Sequence, residues 1–188
     1  MTVANSEFQH IKRPKEVRFV QLQNAILNET EPIKATTNEQ FEKLSDRKHF
    51  GVVCMPMQNE VAIDGIMFTT TEIHGEEYIV MVLIQVKKEE VNKSTGLNSG
   101  VSLYDGEVRA VMVKMRKFAN DLIKKEGLES SKVYILYDIF SDKYDPVTLS
   151  DFSRDVLPHE ALAVTRRKDV GVTLGLLSDK GMHTGRSD

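Results

Sequence analysis

Residues 78–84 read Tyr-Ile-Val-Met-Val-Leu-Ile, with no polar position in the run. A strand turns successive side chains to opposite faces, so an unbroken apolar strand must be covered on both sides. Seven residues are far too few to cross a bilayer. The run therefore predicts a central strand of a sheet with packed layers on either face. It spans the third of three strand-like segments, at 50–57, 60–71 and 76–88. Asn59 breaks the chain before the second segment. His74-Gly75 marks a tight turn before the third, since Gly, and sometimes His, tolerates positive φ. Short turns make these three strands an antiparallel meander.

Around the meander the pattern changes period. Val108, Val111, Met112, Met115, Ala119, Leu122 and Ile123 recur at offsets of three and four, which makes one apolar stripe on a helix over 105–126. Asp105 suits its start and Gly127 its end. A buried strand at 132–140 follows. Asp145-Pro146 then opens a helix that Pro158 ends, and a last strand covers 160–166. Residues 170–177 are apolar but ambiguous. Upstream, residues 17–28 suit a strand or a short helix. Thr36-Thr37-Asn38 resembles a helix cap, so a helix is expected over 38–47. The order is helix, meander, crossover helix and further strands, which is an α/β class with a mixed sheet. Residues 1–16 are expected to be a loose arm, 17–178 one domain and 179–188 a frayed tail.

Three polar residues stand at one end of the meander. If Ile73 faces Glu76 across a two-residue turn, counting outward puts Asp64 opposite Gln85. Opposed residues share a face, and Lys87, two further on, returns to it. A four-residue loop keeps this register, whereas a three-residue loop or a bulge shifts it by one. A carboxylate and an amide oxygen are hard ligands suited to Mg²⁺, and an ammonium beside them can orient water or stabilise charge on a phosphate. Metal-assisted phosphodiester hydrolysis uses such a set. The plain alternative is a strand end leaving the core for solvent through Lys87-Lys88-Glu89-Glu90.

Asp64 followed by Gln85-Val86-Lys87 on adjacent strands resembles the PD-(D/E)xK nuclease superfamily, in the QxK variant of Mrr-type restriction endonucleases. The superfamily also includes modules of Crinkler-like effectors. The resemblance covers about residues 38–140. It implies a restriction-endonuclease-like core of helix, three-strand meander, helix and strand. It also implies a Mg²⁺-dependent endonuclease activity on DNA rather than RNA, with a homodimer as a compatible assembly. Asp64 would be the metal-binding acid, Gln85 the second ligand and Lys87 the catalytic lysine, with Glu39 or Glu42 as the helix acid. Asp64 lacks a preceding Pro, the glycine-rich lead-in is absent, and Gln85 brings no charge. A degenerate nuclease fold that binds protein or nucleic acid without catalysis is the second reading. An unrelated α/β fold with no site is the third.

Charge and composition narrow the partners. The net charge is −3, so the chain as a whole is no general polyanion binder. Local basic groups remain, namely Arg166-Arg167-Lys168 as a nucleic-acid contact and the lysines and arginines of the 105–126 helix. One cysteine, Cys54, precludes an internal disulfide and a cysteine zinc site, and fits a reducing compartment in the cytoplasm or nucleus. The five histidines show no ligand spacing. Asp138, inside the 132–140 strand, reads as a structural acceptor or a further acid.

Overall fold

The computed structural model describes residues 2–3, 14, 16–28, 31–57, 63–86, 102–140 and 156–165. Among the described residues nine strands and one long helix run in the order β1 (Thr2–Val3), β2 (Arg18–Gln21), β3 (Ile33–Lys34), β4 (Gln40–Phe41), β5 (Val52–Met55), β6 (Gly65–Ile73), β7 (Glu76–Val86), α1 (Ser102–Glu126), β8 (Val133–Phe140) and β9 (Glu160–Thr165). Seven strands form one mixed sheet ordered β1-β9-β8-β7-β6-β5-β2, and β3 and β4 form a separate hairpin.

The strand β7 lies at the centre of that order, as its apolar run requires. The strands β5, β6 and β7 are the expected antiparallel meander. The strand β8 is parallel to β7, with α1 as the crossover between them, and β9 is parallel to β8. The β6–β7 turn has two residues, His74 at φ 52° and Gly75 at φ 79°. Two positive φ values match the right-handed twist of the strands, and Ile73 pairs with Glu76.

Each sheet face carries its own core. On one face Ile66, Phe68, Met81, Leu83, Ile135 and Tyr137 pack under α1 through Met112, Met115, Ala119 and Leu122. On the other, Met67, Val80, Val82, Ile84, Leu136 and Phe140 form a second cluster. The helix α1 ends as expected at Gly127, with φ 67°, where the Leu128 N–H returns to the Ile123 carbonyl at 3.0 Å. It begins at Ser102, so Asp105 sits inside the helix rather than capping it.

The expected helix over 38–47 is not formed. Thr36-Thr37-Asn38 is instead the turn of the β3–β4 hairpin. Asn38 takes φ 63°, its N–H reaches the Ala35 carbonyl at 3.1 Å, and the Ala35 N–H reaches the Glu39 carbonyl at 2.9 Å. Small polar residues satisfy stray backbone groups at helix starts and in turns alike, so the same triplet serves either structure. Tertiary contact selects the turn, because Ile33 and Phe41 are fully buried and the Thr36 N–H bonds the Gln21 carbonyl of β2 at 2.9 Å. Within the expected arm, Thr2–Val3 pairs with β9 as the outermost strand of the sheet. The expected helix after Asp145, the 170–177 piece and the 179–188 tail lie outside the described residues.

Candidate functional site

Asp64 and Gln85 meet at the end of the β6–β7 ladder. The last paired residues are Gly65 and Ile84, and Asp64 and Gln85 come next outward. Gln85 Nε2 donates to Asp64 Oδ2 at 2.5 Å, and the Val86 N–H donates to the same oxygen at 2.6 Å. The Asp64 N–H itself reaches the Ile84 carbonyl at 2.8 Å. Asp64 is exposed and Gln85 half-buried. By alternation Gln85 follows Leu83 and Met81 on the face that carries α1.

These contacts set the chemistry of the corner. Both donors aim at Oδ2, which orients the carboxylate and leaves Oδ1 outside the pair. Spending its Nε2 on Asp64 leaves the Gln85 Oε1 as a second oxygen donor. Mg²⁺ binds readily through one or two protein oxygens and completes its shell with water and substrate phosphate, so this donor set fits it. Among the described residues no group of three His, Cys, Asp or Glu side chains could hold a metal ion.

The other expected site residues go elsewhere. Glu39 forms a two-pronged pair with Arg18 at the start of β2, the second bond 2.9 Å long, and the bond from Arg18 holds its carboxyl below the usual range. Glu42 is exposed just after β4, on the chain leading to Ser45. Ser45 bonds the buried Glu126 at the carboxyl end of α1, through its N–H at 3.0 Å and its hydroxyl at 2.8 Å. That end of α1 leads into Val133, which pairs with Ile79, so Glu42 belongs to the opposite end of the sheet from Asp64. Asp138 is fully buried beside Ile84, on the reverse face from Gln85. Lys87 and Arg166-Arg167-Lys168 lie outside the described residues.

A second polar cluster was not foreseen. Glu160, 3% exposed, accepts two bonds from Arg116 at 2.7 and 2.5 Å, one from the Tyr137 hydroxyl at 2.8 Å and one from the Leu157 N–H at 3.0 Å. Burial alone would raise its carboxyl, but Arg116, the Leu157 amide and Tyr137 together hold it below the usual range. The same burial, with Glu160 adjacent, pushes the Tyr137 phenol well above its ordinary range. No periodic signal links these residues, which lie 23 and 44 positions apart from Glu160. The cluster fastens the start of β9 to α1.

No family model matches the chain, and neither a curated protein nor a solved structure matches it.

Proposed function

We propose that this chain is a metal-dependent nuclease-like domain that hydrolyses nucleic-acid phosphodiesters at the Asp64–Gln85 corner. The observation that carries the reading is the hydrogen bond between Gln85 and Asp64 across β6 and β7. The meander, crossover helix and parallel strand around it suit a restriction-endonuclease-like core and the QxK resemblance. The helix that would precede such a core is replaced at 38–47 by the β3–β4 turn and chain.

In this reading Asp64 and Gln85 would hold Mg²⁺ through Oδ1 and Oε1. The ion, once bound, would supply charge stabilisation to a phosphate and a lower pKa to its water. Gln85 and the Val86 N–H hold the Asp64 carboxylate fixed in direction. Lys87, two residues beyond Gln85, would present its ammonium to the attacking water or to the phosphate.

A second reading has its own observation. One oxygen of Asp64 is already engaged twice, and among the described residues no group of three His, Cys, Asp or Glu side chains could hold a metal ion. Those features suit a degenerate nuclease-fold module that binds protein or nucleic acid without cleaving it. One assay separates the two. Purified protein with Mg²⁺ or Mn²⁺ should cleave single- or double-stranded DNA or RNA. Asp64→Asn and Lys87→Ala, both folded by circular dichroism, should each lower the rate by about 100-fold or more. A wild-type chain inert with either metal on all four substrates would leave the binding module as the reading.

A further inference from the structure

The described surface divides its cations into two groups. Away from α1, Arg18, Lys34, Arg47, Lys48 and Lys132 each meet a carboxylate, of Glu39, Glu31, Glu77, Asp46 and Glu76 respectively. On α1, Lys114, Lys117 and Lys124 are exposed and meet no carboxylate among the described residues. Of the acids beside them on the helix, Asp121 is half-buried and Glu126 is buried against Ser45. The amine of Lys43 comes to the same end of the helix, 3.6 Å from where a side chain at Gly127 would begin.

Ordinary helix electrostatics covers only part of this. Cations near a helix carboxyl end offset its dipole, which accounts for Lys124 and Lys125. The dipole is felt within the last turn, and Lys114 and Lys117 stand two to three turns earlier. Pairing at four-residue spacing would account for Lys117 with Asp121, yet no ion pair forms there. Lys125 is already committed, donating to the Ile26 carbonyl. That bond draws the 24–28 turn against α1. A recess of about 680 Å³ opens between them, lined by Leu27, Asp121, Lys124 and Lys125.

We infer that the outer face of α1, from Lys114 to Lys124 with Lys43 at its end, is a docking surface for the phosphate backbone of a nucleic-acid strand. The three lysines span ten residues, about 15 Å of helix, enough to follow several successive phosphates. Unpaired lysines give up counterions rather than internal salt bridges when they meet phosphate, so their charge is available for binding. The recess beside Lys124 and Lys125 offers a strand terminus or an unstacked base a partly apolar wall at Leu27. The surface occupies the carboxyl-terminal half of α1 and lies at the far end of the sheet from Asp64, so it is a separate anchor and does not depend on cleavage at the corner.

The test is equilibrium binding of the full chain to a fluorescent single-stranded oligonucleotide of about 20 nucleotides, in DNA and RNA forms, with EDTA and across a salt series. Changing Lys114, Lys117 and Lys124 together to Ala should weaken binding at least about tenfold near 0.1 M salt. It should also lower the slope of log K against log salt by about 2, since each contact to a single strand contributes about 0.7. The triple change to Arg should keep both affinity and slope. Lys117→Ala alone should lower the slope by about 0.7, which keeps the test readable if the triple variant folds poorly. Lys34→Ala and Lys48→Ala, which remove paired lysines, should change neither quantity. Undetectable wild-type binding, an unaltered slope in the α1 variants, or an equal loss in the paired-lysine variants would overturn the inference. Cleavage is read in its own assay with metal, so the corner and this surface can fail independently.

Discussion

Glu160 receives Arg116 twice, the Tyr137 hydroxyl and the Leu157 amide, so its carboxylate is paired at nearly every acceptor position. A buried charge is tolerable only under such conditions. Removing the charge leaves Arg116 without its carboxylate in a largely buried setting. Glu160→Gln is therefore expected to cost about 3 kcal/mol, with a fall in Tm of about 6–12 °C in a chain of this size. The pH dependence has a definite sign. The folded carboxyl is held below its unfolded value, so its contribution is complete above the unfolded pKa and is lost as pH falls through the lower folded value. Urea melts from neutral to acid pH should show wild-type stability declining, with a shallower decline in Glu160→Gln. Parallel curves would show that Glu160 does not carry the acid sensitivity.

Two glycines at element boundaries separate backbone strain from crowding. Gly51, just before β5, has φ 84°, and a Cβ there would lie 2.6 Å from the Glu16 carbonyl oxygen and 2.7 Å from the Pro14 Cβ. Gly75, in the β6–β7 turn, has φ 79° with nothing within 4 Å of the same position. Gly75→Ala should cost only the left-handed conformation, about 1 kcal/mol. Gly51→Ala adds a clash against backbone and a proline ring, for about 3 kcal/mol in total. Chemical denaturation of the two variants checks the order, and equal costs would mean that Pro14 and Glu16 yield freely. The comparison bears on the site, because the Gly75 turn sets the register that brings Asp64 to Gln85.

Across the whole molecule, Cys54 reports on how the sheet opens. It sits in β5, 3% exposed, between β2 and β6, and burial pushes its thiol up to about 12. A thiol held neutral and out of solvent reacts only when the sheet around it separates. Labelling with a disulfide reagent near pH 8 should run at least about a thousandfold slower than with a free thiol, and should accelerate with urea in step with global unfolding. Labelling that ignores urea would reveal local opening of the β2–β5 side. The chain at 34–36 covers that side, through the Gln23 N–H to the Lys34 carbonyl at 2.8 Å and the Thr36 N–H to the Gln21 carbonyl at 2.9 Å. Among the described residues no helix is long and apolar enough to cross a membrane.

The sequence by itself determined the centre of this protein. The apolar run at 78–84 required a strand covered on both faces, and His74-Gly75 fixed a two-residue turn. That turn alone brings Asp64 to Gln85 through 21 residues of chain. The offsets of three and four in α1 told which face it buries. These features are local, carried by side-chain period and backbone φ. Only the tertiary structure decided the rest. Thr36-Thr37-Asn38 serves a cap or a turn equally well, and the burial of Ile33 and Phe41 selected the turn. That choice took Glu42 away from Asp64. Glu160 found Arg116 and Tyr137 only because β8, β9 and α1 pack together, and such pairing leaves no periodic trace in a chain.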